Sequence, residues 1–212
     1  MKVDPLLEVR KRKRLEQAQE LILSGELDAA RDIYQGLLSQ DEKNPGAMRG
    51  MGLLHVQLGE LPAAEKWLRA AIEMRTTDYV AWNDLGEVLR MQGKGSEAIE
   101  AYTQSLKLEP AFVEAMNNLA VALAGAGEIE EAKKTLLAAI EIAPDDPHPY
   151  NNLGVLLECE GNHEAALIQY ERAVMLKPDF AEAKENFATL LAYQPERILQ
   201  SMDRLLEDAR KL

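Results

Sequence analysis

Three dipeptides carry the most legible chemistry in the chain. Asn83-Asp84, Asn117-Asn118 and Asn151-Asn152 follow one another at one constant step, and Asn186 extends the series by one step more. Asparagine is a poor helix former, yet each pair sits in the middle of an apolar-periodic segment. A side-chain amide donates and accepts at once, which complements the backbone of an extended peptide. That is recognition chemistry, with no bond made or broken. The plainer reading is that these positions are polar because water solvates them.

Residues suited to catalysis do not assemble. The chain has no phosphate-loop motif, no HExxH and no CxxC, and Gly50-Met51-Gly52 lacks the third glycine of a dinucleotide fingerprint. No two of the three histidines, His55, His148 and His163, share helical metal-ligand spacing. Cys159 is the single cysteine, so an internal disulfide and a thiolate-rich metal site are excluded. No histidine or asparagine partner can be assigned to it as a nucleophile. The expectation is a protein that is not an enzyme, with no metal and no cofactor.

Charge narrows the partners. The 212 residues hold 24 Lys and Arg against 36 Asp and Glu, a net charge of −12, with 47% hydrophobic residues to build a core. Such a balance disfavours nucleic acid, whose binding rests on basic residues at phosphates, and electrostatic anchoring to anionic lipid. No stretch approaches the roughly 20 apolar residues of a membrane span. No apolar region follows the N-terminal basic residues as in a secretory signal, so a reducing cytoplasm is the expected compartment. The basic run from Arg10 to Arg14 reads first as the solvated face of a helix capped by Asp4 and begun at Pro5, with Leu15, Ala18, Leu21 and Ile22 inside. A nucleic-acid, membrane or localisation signal is the alternative.

The elements that position these residues repeat. Gly25, Gly59, Gly93, Gly127 and Gly161 are evenly spaced, with a period of about 34 residues. In the unit starting at Tyr79, Trp82, Leu85, Gly86 and Leu89 occupy the fourth, seventh, eighth and eleventh positions; Met116, Leu119, Ala120 and Leu123 follow in the next unit, then Tyr150, Leu153, Gly154 and Leu157. Ala98, Ala132 and Ala166 align later in the unit, as do Tyr102, Leu136 and Tyr170, and Pro110, Pro144 and Pro178 close it. Apolar residues three and four apart make one helical face. Small residues let two helices approach closely, the glycines suit the left-handed residue past a helix end, and the prolines stop the second helix. Each unit is predicted to be helix, tight turn, helix.

This pattern resembles the tetratricopeptide repeat family over about residues 11–193. The resemblance implies an all-α fold, a right-handed superhelical solenoid of helix-turn-helix repeats. Residues 1–10 would lead into the first helix. Five units would occupy 11–44, 45–78, 79–112, 113–146 and 147–180, and 181–212 would form a half repeat and a C-terminal capping helix. The cap, about 195–212, is marked by Ile198, Leu199, Met202, Leu205 and Leu206, and the end of an array needs one. In this family the first helix of each unit lines a concave groove. The sixth positions, Gly50, Asp84, Asn118, Asn152 and Asn186, would then face it, and the fifth positions add Asn83, Asn117 and Asn151. The arrangement is similar to the asparagine ladder of O-GlcNAc transferase.

The rest of that groove leans acidic, with Glu87, Glu114, Glu158, Glu182 and Glu185 against Arg49 and Arg90. The resemblance thus implies a non-enzymatic adaptor or scaffold holding a protein or peptide segment with Lys or Arg among its anchors. The lysines that clamp chaperone tails in related repeats are missing. Two other readings stay open. The chain could self-associate, its basic first helix meeting the acidic groove of another copy, or it could be the recognition arm of an enzyme whose catalytic part lies on another chain.

Overall fold

The computed structural model describes residues 5–193. Among these residues there are eleven α-helices and no strand. The order is α1 (Pro5–Leu23), α2 (Leu27–Gln40), α3 (Pro45–Gln57), α4 (Leu61–Met74), α5 (Tyr79–Met91), α6 (Gly95–Leu108), α7 (Val113–Gly125), α8 (Ile129–Ile142), α9 (Pro147–Cys159), α10 (His163–Leu176) and α11 (Ala181–Ala192). The fold is an all-α repeat solenoid. The segment expected to cap it, 195–212, and the expected helix cap Asp4 lie outside the described residues.

Local chemistry sets the helix ends. Asn44 and Asp78 cap α3 and α5, accepting from the backbone N–H of Ala47 and Ala81, and Asn162 caps α10 through Ala165. Each such cap satisfies a donor that the first helical turn leaves open. At the other end, the five evenly spaced glycines all adopt positive φ, from 74° at Gly59 to 84° at Gly127. The chain reverses there through paired backbone bonds, Gly59 N–H to Val56 O and Glu60 N–H to His55 O, both 2.9 Å. A side chain at that φ would be strained.

The chain forms two compact units, one running to Asn118 and the other starting at Leu119. In the first, α2 buries Ala30, Tyr34 and Leu37 against Ala18 of α1 and Ala47, Met51 and Leu54 of α3. In the second, Ala166, Leu167 and Tyr170 of α10 pack with Leu190 of α11. Large rings recur in every second repeat, at Tyr34, Tyr102 and Tyr170, and all three are fully buried. Each lies against a glycine. A Cβ at Gly86 would stand 2.6 Å from the Tyr102 ring, and one at Gly154 2.5 Å from Tyr170. Tyr34 is different: the glycine it meets is Gly50, in the following helix pair.

Candidate partner-binding surface

The first helices carry the expected polar series, and the structure divides its labour. Asn83 is 2% exposed and Asn151 1% exposed. Each amide holds two residues of the next first helix. Asn83 donates to Glu114 at 3.0 Å and accepts from Asn118 at 3.0 Å. Asn151 donates to Glu182 at 3.1 Å and accepts from Asn186 at 3.1 Å. The fifth-position amides are therefore interior joints between successive helices. Asn117 is also buried and donates to Val113 O at 3.2 Å. The sixth-position residues Asn118, Asn152 and Asn186 are half-buried and reach the surface. Gly50, also a sixth position, is buried under the Tyr34 ring and offers no side chain.

Arg49 and Asp84 repeat the joint with charges. Arg49 Nε donates to Asp84 Oδ2 across the same sequence interval. Burial raises the Asp84 carboxyl above its ordinary value, and Arg49 pulls the other way. The Tyr34 hydroxyl lies nearby, sealed from water, with no hydrogen-bond partner among the described residues. Burial pushes it up to about 12, opposed by the Arg49 charge.

A second cluster sits further along α5. Arg90 donates to both Glu87 oxygens, at 2.9 and 2.6 Å, and the Tyr102 hydroxyl donates to Glu87 at 3.1 Å. The Arg90 bonds hold the Glu87 carboxyl below the ordinary range. On α9, Glu158 accepts from the Tyr170 hydroxyl at 2.7 Å. Glu185 is exposed on α11. Among the described residues no group of three or more His, Cys, Asp or Glu is placed to hold a metal. Cys159 is exposed at the end of α9, His55 pairs with Glu60 at 2.6 Å, and the His148 ring lies 4.8 Å from Phe180. No helix of the described residues is long and apolar enough to cross a membrane.

The internal role of the fifth-position amides was not separated from the sixth in the sequence. The signal was present as spacing. Each fifth position precedes a sixth position of the next unit, as Asn83 precedes Asn118, and also the next second position, where Glu114 and Glu182 stand.

Comparison with known proteins agrees with this architecture. The tetratricopeptide repeat model matches residues 21–85 and 89–153. A second model, described as an Est1 DNA/RNA binding domain, matches 132–211. The chain is 38% identical over 87 residues to human tetratricopeptide repeat protein 7B, covering 41% of this chain and 10% of that protein. It is 35% identical over 74 residues to the peroxisomal targeting signal receptor of Eremothecium gossypii, 35% of this chain and 13% of the receptor. The matched stretch is thus about a tenth of those relatives. The structure of YrrB, described as a TPR protein with an unusual peptide-binding site, superimposes with a TM-score of 0.63 at 24% identity, covering 81% of this chain and 89% of YrrB.

Proposed function

Because the chain belongs to the tetratricopeptide repeat family, whose members mediate protein–protein interaction, we propose that it is a non-catalytic adaptor holding an extended partner segment along its first helices. The five units from 11 to 180 form the binding array, and its mechanism is association and release, in the cytoplasm. The observation that carries this reading is the orientation of the half-buried amides. Asn118 and Asn186 each bond a neighbouring amide through their own Nδ2, which fixes the side chain and turns its carbonyl end away from that joint. A carbonyl so held is a ready acceptor for a peptide N–H. Preorganisation lowers the ordering cost of binding.

The partner's chemistry follows from the charges beside these amides. Glu114, Glu158, Glu182 and Glu185 outnumber the cations, and Arg49 and Arg90 are already engaged by Asp84 and Glu87. A segment with Lys or Arg anchors fits such a surface. The description of YrrB as peptide-binding and the targeting-signal receptor supports the same reading by analogy. The Est1-type match favours nucleic acid instead. Residues 132–211 hold nine Lys and Arg against fourteen Asp and Glu, which weighs against a phosphate backbone.

The test is a paired pull-down from lysate of the source cell with wild type and the Asn118→Ala/Asn152→Ala double variant, folding checked by circular dichroism. A partner kept by wild type and lost by the folded variant supports the reading. Equal retention refutes it. A panel of basic peptides, acidic peptides and single-stranded RNA at fixed salt then separates the chemistries.

A further inference from the structure

The outward side of the second helices follows a rule that is broken in one place. Positions 22, 25 and 29 of each unit are exposed except at half-buried Thr103, and they are polar in the first three units: Asp32, Gln35 and Ser39 on α2, then Lys66, Arg69 and Glu73, then Glu100, Thr103 and Lys107. In the last two units three of these slots turn apolar, as Leu137 on α8 and Ile168 and Met175 on α10. These side chains are 52%, 55% and 68% exposed. A patch of exposed large apolar residues marks an interaction surface.

Of these, Leu137 lines a cleft of about 660 Å³ between α8 and α10, whose floor is Leu153 and Leu157 of α9 and whose α8 wall also carries Glu130, Lys133, Lys134 and Glu141. The matching cleft between α4 and α6 is spanned by charge: Arg69 bonds Glu65 at 2.9 Å and reaches across to Glu97 at 3.1 Å. Leu137 stands where Arg69 stands, and Ala165, two units after Glu97, replaces its carboxylate. That bridge is gone: Lys133 reaches instead to Glu160, ahead of α10, at 2.7 Å, and the cleft keeps an apolar floor. On the stripes beside it, Glu141 and Glu171 are exposed and form no ion pair among the described residues.

The chain also carries a helical surface of complementary chemistry. α1 has 19 residues where the other complete first helices, α3, α5, α7 and α9, have 13. The added turns and those that follow present Leu6, Val9, Arg10 and Lys13 on one outward face, all exposed. Neither Arg10 nor Lys13 forms an ion pair among the described residues. Two apolar residues followed by two cations match a cleft with an apolar floor whose lysines, Lys133 and Lys134, are already paired with Glu130, Glu160 and Glu131, which leaves Glu141 and Glu171 as its unpaired charges among the described residues. We propose that the cleft between α8 and α10 receives the α1 stripe of a second copy of this chain, giving a head-to-tail contact. This surface is separate from the first-helix amides, so it stands or falls independently of the adaptor reading.

A heterologous contact of this kind extends into a chain of copies unless it closes into a ring. Stable interfaces bury about 1,200–2,000 Å², more than one short helix stripe supplies, so assembly is reversible and concentration-dependent. The charged part weakens with salt.

Sedimentation velocity of the full chain over about a hundredfold concentration range, at low and high salt, reads the contact. The average mass of wild type rises with concentration, and less so at high salt. Leu137→Arg/Ile168→Lys restores the residue types of the other units, and Val9→Glu/Arg10→Glu/Lys13→Glu disables the stripe. Both changes are on exposed surface, and circular dichroism confirms folding. Each variant alone associates at least tenfold more weakly. Mixed one to one, they form a dimer and nothing larger, because each keeps one intact half of the contact. The milder Glu141→Lys/Glu171→Lys variant leaves the apolar residues in place and also weakens association. A wild type that remains monomeric throughout, association unchanged by these substitutions, or a mixture that stays monomeric overturns the proposal. In the first case the cleft belongs to a foreign helix instead.

Discussion

The side-chain amide of Asn118 donates to the amide oxygen of Asn83 at 3.0 Å, joining one first helix to the next. The same bond recurs between Asn186 and Asn151 at 3.1 Å, and Arg49 with Asp84 makes its charged counterpart. A polar series that could have belonged wholly to a ligand is half structural. The buried member orients the exposed one.

Removing the buried member should therefore cost more than removing the exposed one. Asn83→Ala or Asn151→Ala is expected to lower stability by about 1–3 kcal/mol, because each strands the neighbouring amide and carboxylate. Asn118→Ala, half-buried, is expected to cost under about 1 kcal/mol, since water can replace it. Urea denaturation of the three variants decides this, and equal costs would mean that the joints are no stronger than solvated polarity.

The glycines facing tyrosine rings are predicted to be intolerant of even one methyl. Gly86→Ala and Gly154→Ala should each destabilise by about 1–3 kcal/mol, through overpacking against Tyr102 and Tyr170. Gly95, at the start of α6, has nothing within 4 Å of an added Cβ. Gly95→Ala should be neutral or stabilise by up to about 1 kcal/mol. Thermal unfolding of the set is the measurement, and uniform effects would contradict the close approach of ring and backbone.

The three buried tyrosines should separate on losing their hydroxyls. Tyr34→Phe removes a buried group that has no partner among the described residues, so it should be neutral or stabilising. Tyr170→Phe breaks a 2.7 Å bond to Glu158 and should cost about 1.5–3 kcal/mol. Chemical denaturation of both variants tests the contrast. Burial raises all three phenols, Tyr34 to about 12. A raised folded value means stability that is complete below the unfolded value, about 10, and is lost as pH rises through the folded one. The ultraviolet tyrosinate signal of Tyr34 should thus appear near pH 12 while the chain stays folded, and unfolding should advance the titration toward about pH 10.

In acid, two carboxylates should act in opposite senses. Glu87 is held low by Arg90, so its contribution is present above the unfolded value, about 4.3, and disappears as pH falls through the folded one. Asp84 is raised by burial, so its neutral form is favoured by folding and its ionisation works against the fold as pH rises through that value. The stability difference between wild type and Glu87→Gln should be largest at neutral pH and shrink in acid. The difference between wild type and Asp84→Asn should shift in favour of wild type on acidification. Denaturation series at several pH values read both, and parallel trends for the two variants would refute the assignment.

Much of the architecture was legible in the residues alone. Apolar spacing of three and four, evenly spaced glycines and prolines after the second helices state a helix-turn-helix repeat, because backbone sterics at a helix end admit few solutions. The positive φ at all five glycines follows from that. Gly86 and Gly154 were legible as close-approach sites, since only a missing side chain admits a ring there. What tertiary packing alone decided is which of two adjacent polar residues is interior. Neighbours on a helix point about 100° apart, and the angle at which the next helix crosses determines whether the fifth or the sixth residue is covered. Hence Asn83 is a joint while Asn118 reaches the surface. The same reason sends Tyr34 to Gly50 in the following helix pair while Tyr102 meets Gly86 in its own. It also makes Arg69 and Glu97 a bridge across the cleft between α4 and α6, while Leu137 and Ala165 form none across the equivalent cleft between α8 and α10. Residue type sets what each position can do, and the distance between helices sets which of those things it does.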